Sequence, residues 1–285
     1  MIRILANPAS GSGRALRAAE GILAVLEAAG REAVLEPSQG PGWMTQRARS
    51  VEASLIVAVG GDGTANEVAR GLQGRGIPMA YFPAGTVNLL ARVYGLPSDP
   101  PGFLRMVEAG RTVPLDLGMV GERVFLSCAG AGLDADVIRR LHRGRRGPIR
   151  LWHYLPHVWD AFASGSPPRI RVEADGRDLG VCSQVIVANL PLYAGILRFA
   201  PEARGDDGLL DLVLFRGRSR LDLARYAAVA LTGWPRQFDV EIVKAREVWL
   251  EAQAPVPFHL DGDEAGELPV EIRVEPAAVR LVVPG

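Results

Sequence analysis

Lysine is nearly missing: Lys244 is the only one in 285 residues, and the other basic side chains are arginine. A reaction that relies on a catalytic lysine therefore has a single candidate. Cysteine is almost as scarce. Cys128 and Cys182 form no CxxC pair and no metal-ligand spacing, which excludes a disulfide framework and a cysteine-built zinc site. Two isolated thiols fit a reducing cytosol. Net charge is absent too, since 32 acidic side chains cancel 32 basic ones. A neutral chain has no global field to draw it onto nucleic acid, so no nucleic-acid partner is expected. No apolar run approaches the about 20 residues of a membrane span. The N-terminal Met1-Ile2-Arg3-Ile4-Leu5-Ala6 lacks the charged region and apolar stretch of a signal peptide. The expectation is a cytoplasmic protein that can touch a membrane without crossing it.

What is present is a strand–helix alternation over the first third. Ile2 to Ala6 is a short apolar run, and Asn7 to Gly13 is a turn rich in Gly and Ser. Arg14 to Ala29 has helical spacing, with Leu16, Ile22, Leu23, Val25 and Leu26 in one broad stripe. Glu32 to Leu35 reads as a second strand and Met44 to Glu52 as a helix. Leu55 to Val59 is short and apolar, as a buried parallel strand should be. Gly60 to Gly63 breaks it, and a helix restarts at Thr64. Met79 to Phe82 is another strand, followed by Pro83-Ala84-Gly85-Thr86 and a helix to about Val93. This order predicts an open, mainly parallel sheet covered on both faces. Ligands of such sheets bind beyond the C-terminal strand ends, where the loops 7–13, 60–63 and 83–86 lie.

After Pro114 the texture changes. Short runs at 115–118, 123–129, 170–174, 179–187, 209–215, 239–243, 247–251 and 258–260 predict a mainly antiparallel β-sandwich. Asp175-Gly176 is a hairpin signal. Helices are expected at 135–163 and 220–231. The division is an α/β domain over 1–116, completed by 275–285 if the Val279–Val283 run returns to it, and a β-rich domain over 117–274.

The sharpest motif is Gly60-Gly61-Asp62-Gly63-Thr64-Ala65-Asn66-Glu67. Glycines let the backbone approach a ligand, and Thr64 to Glu67 has the spacing of a capping box. A helix start preceded by exposed amides suits phosphate. The segment is neither a Walker A loop nor a GxGxxG dinucleotide loop. The plain alternative is a tight turn between strand and helix. Two acidic groups stand out later. By themselves Asp206-Asp207-Gly208 reads as a polar turn and Asp261-Gly262-Asp263-Glu264 as a solvated hairpin turn.

Together these segments resemble the diacylglycerol and sphingosine kinase catalytic-domain family, soluble lipid kinases of bacterial type. Gly60 to Thr64 looks like the GGDGT motif that this family shares with NAD kinases and phosphofructokinases. Asn7-Pro8-Ala9-Ser10-Gly11, Ser38-Gln39-Gly40-Pro41-Gly42, Pro83-Ala84-Gly85-Thr86-Val87-Asn88, Gly130-Ala131-Gly132-Leu133-Asp134-Ala135, Pro201-Glu202-Ala203 with Asp206 to Asp211, and Leu260-Asp261-Gly262-Asp263 resemble further family segments, in order. The resemblance implies transfer of the γ-phosphoryl group of ATP to a lipid hydroxyl. It places ATP on Asn7, Pro8, Ala9, Ser10, Gly11, Ser38, Gly60, Gly61, Asp62, Gly63, Thr64, Ala65, Asn66 and Thr86, with Asp62 on the phosphates or a catalytic Mg2+. It assigns a second, structural Mg2+ to Asp207 and the backbone carbonyls of Arg204 and Leu209. It makes Asp261 or Asp263 the general base. Leu89 stands where many relatives carry an acid, so the lipid alcohol stays open among diacylglycerol, a long-chain base and others.

Arg139-Arg140-Leu141-His142-Arg143-Gly144-Arg145-Arg146, followed by Trp152, Tyr154 and Trp159, suits a membrane interface as well as it suits a solvated helix over a buried aromatic core. His142, His153 and His157 show no metal-ligand spacing. The rival functions are a NAD kinase-like enzyme, or a catalytically idle lipid-binding protein on the same fold. A homodimer is left open.

Overall fold

The computed structural model describes residues 1–143, 167–193, 197–217, 222 and 240–285. The expected helix over 220–231, the far end of the expected 135–163 insert and the aromatic segment with His153 and His157 lie outside the described residues. So do the side chains of His142 and Arg143. The chain divides into two compact units. One holds Met1–Leu117, Gly205–Asp207 and Glu275–Gly285; the other holds Gly118–Arg204 and Gly208–Val274.

In the first unit, β1 (Ile2–Ala6), β2 (Ala33–Pro37), β3 (Leu55–Gly60) and β4 (Pro78–Pro83) pair in parallel in the order β2-β1-β3-β4. The β3 strand is buried along its whole length, which explains its unbroken Leu-Ile-Val-Ala-Val run. Between the strands run α1 (Arg14–Ala28), α2 (Trp43–Ser50), α3 (Asp62–Leu72), α4 (Leu89–Tyr94) and α5 (Pro100–Ala109). The crossover from β1 to β2 runs one way along the sheet; those from β2 to β3 and from β3 to β4 run the other way. Right-handed crossovers therefore put α1 on one face and α2 with α3 on the other. The contacts agree: α1 packs on α5, and α2 packs on α3. The direction of winding switches between β1 and β3.

Helix α5 has no counterpart in the sequence reading, although its signals are ordinary. The Asp99 carboxylate accepts a hydrogen bond from Gly102 N at 2.8 Å, and Pro100 sits at the first helical position. Strand β5 (Thr112–Val120) then carries the chain into the second unit.

The second unit is a two-sheet sandwich. One sheet has the order β12 (Val240–Ala245), β11 (Leu210–Phe215), β10 (Gln184–Ala188), β7 (Cys128–Ala131), β14 (Pro257–Leu260), β15 (Asp263–Glu267), antiparallel throughout. The other pairs β9 (Arg177–Cys182), β8 (Ile170–Ala174), β13 (Glu247–Ala252) and the first residues of β16 (Val270–Val282), while β6 (Arg123–Phe125) pairs with the end of β5. Val185, Val187, Leu212, Phe258 and Leu260 of one sheet bury against Ile170, Val172, Val248, Leu250 and Ile272 of the other. The end of β16 belongs to the first unit, where Arg280 and Leu281 pair in parallel with β4.

Two runs that read as single strands are each two. The 179–187 run breaks at Ser183, where the chain leaves one sheet for the other; Ser183 N and Oγ both donate to the Phe215 carbonyl, at 2.8 and 3.0 Å. The 123–129 run breaks at Leu126 and Ser127 in the same way. Alternation within a run gives the inward face but not the sheet to which each half belongs.

Candidate active site

In the first unit, every predicted nucleotide loop follows the C-terminal end of a parallel strand. Residues 7–13 follow β1, 38–42 follow β2 and 84–88 follow β4, while 60–63 run from the last residue of β3 into the first turn of α3. The loops after β1 and β3 flank the point where the winding reverses, the place where open α/β sheets bind ligands.

Short contacts tie these loops together. Asn7 N donates to Val59 O at 3.0 Å, and the Asn7 carboxamide accepts from Ala9 N at 3.0 Å and donates to Thr64 Oγ1 at 3.4 Å. Ala84 N and Gly85 N both donate to Gly60 O, at 2.7 and 3.1 Å. Asn88 closes the last loop: its side-chain oxygen accepts Gly85 N at 3.0 Å, and its amide donates to Gly85 O at 3.2 Å. The Tyr81 hydroxyl lies 3.1 Å from both Gly60 O and Asn88 Oδ1. Burial and then the nearby Asp62 charge push that hydroxyl far above the usual tyrosine range, so it stays a donor. Asp62 Oδ1 accepts Leu90 N at 3.3 Å, which links the start of α3 to α4. Ser38 hydrogen-bonds within its own turn, to Gly40. Thr86 is exposed.

The capping box is a correction. Helix α3 starts at Asp62 with Gly61 as N-cap, and Thr64 N and Ala65 N both donate to Gly61 O. Thr64 thus lies inside the first turn, buried under Asn7, and caps nothing.

The second unit separates the two acids of the 261–263 turn. Asp261 has φ +50, and its carboxylate accepts three backbone N–H groups: Leu126 at 2.7 Å, Ser127 at 2.8 Å and Cys128 at 3.0 Å. Those amides sit where the chain passes from β6 to β7, so Asp261 satisfies donors that the sheet break leaves without a ladder partner. Asp263 begins β15 and is exposed; among the described residues no hydrogen bond or ion pair engages its carboxylate.

His259, absent from the sequence reading of the site, lies just before this turn and is 1% exposed. Its Nε2 is 3.1 Å from Asp134 Oδ2, and Gly262 N donates to its Nδ1 at 3.3 Å. The partner Asp134 lies 125 residues away, so no local spacing could reveal it.

The DDG segment divides between the units, with Asp206 and Asp207 in the first and Arg204, Gly208 and Leu209 in the second. Within the first unit, Gly205 O accepts Asp116 N at 2.7 Å, and the buried Asp116 carboxylate accepts Ala277 N at 2.7 Å. One carboxylate with carbonyl oxygens is a hard-oxygen donor set, chemically suited to Mg2+. Lys244 pairs with the buried Asp211 at 2.9 Å, across from it in the β11–β12 register. That pairing accounts for the lone lysine structurally.

Comparison with known proteins agrees with this architecture. Residues 1–120 match the diacylglycerol kinase catalytic domain, and residues 127–283 match the YegS C-terminal NAD kinase beta sandwich-like domain. A diacylglycerol kinase of Mycobacterium tuberculosis (strain CDC 1551 / Oshkosh) is 31% identical, over 99% of this chain and 95% of that protein. One of Bacillus subtilis (strain 168) is 30% identical over 94% and 91%. A crystal structure of a diacylglycerol kinase from Bacillus anthracis str. Sterne superposes with a TM-score of 0.76 at 20% identity, covering 99% of this chain and 96% of that one. Another structure from the same organism reaches 0.81 at 21% identity, covering 99% and 94%. The chain belongs to the diacylglycerol kinase catalytic-domain family, and is a kinase with an alcohol acceptor.

Proposed function

We propose that this kinase transfers the γ-phosphoryl group of ATP to the hydroxyl of a lipid such as diacylglycerol, at a membrane surface. The observation that carries the reading is the set of hydrogen-bonded loops at the winding reversal of the first unit, on a chain whose full length aligns with diacylglycerol kinases. ATP takes the loops 7–11, 38, 60–66 and 86, with backbone amides at the start of α3 facing its phosphates. In the transfer, the bond from the γ-phosphorus to the β–γ bridging oxygen breaks, a bond to the lipid oxygen forms, and ADP leaves. Asp263, exposed and unengaged, takes the hydroxyl proton; Asp261 holds the backbone around it. Bound Mg2+ supplies charge neutralisation on the phosphates. Asp62 would face the phosphates or hold such an ion, and Asp207 with the Arg204 and Leu209 carbonyls would hold a second one.

Arg139 and Arg140 are paired with Asp136, and Arg139 also with Glu267, so neither offers a bare positive charge. No helix among the described residues is long and apolar enough to cross a membrane.

Labelled ATP with Mg2+, offered vesicles of diacylglycerol, a long-chain base, or free NAD, tests the reading. Label in a lipid phosphate supports it. Label only in a nucleotide product moves the protein to the NAD kinase side, and no transfer to any acceptor leaves an idle binding protein.

A further inference from the structure

The acidic turn is held from behind by a buried chain of side chains. Gly262 N–H points at His259 Nδ1 at 3.3 Å, so Nδ1 must carry the lone pair. In a neutral ring the proton then sits on Nε2, and it is directed at Asp134 Oδ2, 3.1 Å away. Asp134 in turn accepts the Tyr193 hydroxyl at 3.3 Å and Ala135 N at 2.7 Å, and the Tyr193 ring meets the His259 ring edge-on with centroids 6.2 Å apart. Asp134 lies in the first turn of helix α6 (Leu133–Arg143), while His259 lies in β14. The pair crosses β7 at Gly130, where any Cβ would strike both Asp134 Oδ2 and His259 Nε2. Glycine at 130 is therefore a condition for the contact.

We infer that His259 and Asp134 are positioning residues for the 261–263 turn: Asp134 fixes the His259 tautomer, and His259 fixes the peptide between Asp261 and Asp263. Asp261 anchors one end of the turn through three amides, and the imidazole anchors Gly262. Together they set the direction in which the Asp263 backbone leaves. The inference rests on the reading of Asp263 as the base, since a turn without that task gains nothing from being held in register. Neither residue needs to touch substrate, and His259 is too buried to do so.

Two amide variants separate the two hydrogen bonds. In H259Q the longer side chain can still donate to Asp134 but offers no acceptor at the Nδ1 position. In H259N the shorter one can accept Gly262 N–H but no longer reaches Asp134. We expect H259Q to melt like the parent, keep its KM for ATP, and lose up to about 100-fold in kcat, as misplacement of a reacting group by roughly an ångström does. H259N should recover part of that loss. In a D263N background, H259Q should cost almost nothing further, because its effect runs through Asp263. Parental kcat in H259Q, or an undiminished loss in the D263N background, overturns the positioning role. Parental kcat in D263N instead overturns the base assignment, so the two failures are distinguishable. Should H259Q fail to melt cooperatively, the intact protein decides. Nitrogen-15 NMR of its His259 ring must show the Nε2–H tautomer, and an Nδ1–H tautomer refutes the inference.

Discussion

A Cβ placed on Gly85 would stand 2.5 Å from the Cα of Gly61, inside the distance that real atoms tolerate, whereas a Cβ on Gly61 would meet Gly85 Cα at an ordinary 3.5 Å. The loops after β3 and β4 thus touch backbone to backbone, and the contact is one-sided. Gly85→Ala must push the two loops apart, at about 1–3 kcal/mol of overpacking. Its melting temperature should fall, and its ATP affinity with it. Gly61 has an ordinary φ of −91°, so Gly61→Val should melt like the parent and lose ATP affinity alone. Parental affinity of G61V in calorimetry would place the nucleotide elsewhere.

The two acids of the 261–263 turn should separate by stability. Asp261→Asn swaps one acceptor oxygen for an amide that confronts a backbone N–H, leaving a partly buried donor unsatisfied. The expected cost is about 1–3 kcal/mol in urea unfolding. Asp263→Asn alters an exposed, unengaged group and should stay within about 0.5 kcal/mol of the parent. The reverse ranking would mean that the anchor and the base have been exchanged.

Those two acids show how far the sequence could be read. The strand-end loops are legible because each signal is local: an apolar run, a Gly-rich break, then a helical stripe. The turn that carries Asp261 and Asp263 is visible for the same reason. Which carboxylate is free is not visible, because the amides that engage Asp261 lie 133 to 135 residues earlier. His259 is hidden by the same separation from Asp134. Thr64 misleads in the opposite way: its spacing to Glu67 is that of a capping box, but the N-cap is Gly61, three residues sooner. Asp99 with Pro100 is a complete local signal for α5: an N-cap carboxylate followed by proline at the first helical position.

Both thiols should resist alkylation in the folded protein. Burial pushes the Cys182 thiol up to about 12, against the opposing pull of Arg216. Burial, and then the charges of Asp261 and Asp134, push Cys128 well above its ordinary range. An unfolded thiol deprotonates near 9.0, so the folded chain binds more protons than the unfolded one between there and about 12. This contribution to stability is fully present below pH 9 and declines as pH rises through that window. Iodoacetamide at pH 8 should label both cysteines in urea and neither in buffer; rapid labelling in buffer would contradict the buried placement.

Asp207→Ala tests the structural metal. If Mg2+ binds at Asp207, millimolar Mg2+ should raise the melting temperature of the parent and not that of the variant, by the linkage that any ligand of the folded state exerts. Equal shifts in both proteins would leave the Asp206-Asp207-Gly208 segment as a polar turn.

The central claim is that this chain phosphorylates a lipid hydroxyl with Asp263 as base, and one measurement addresses it most directly. Turnover of labelled ATP into lipid phosphate is followed on diacylglycerol vesicles at saturating ATP and Mg2+, for the parent and for D263N. The account predicts steady transfer by the parent. It predicts a loss of about 10²–10⁴-fold in kcat for D263N, the usual range for removing a general base, with ATP affinity intact. Parental turnover by D263N, or transfer by the parent to NAD and to no lipid, would contradict it.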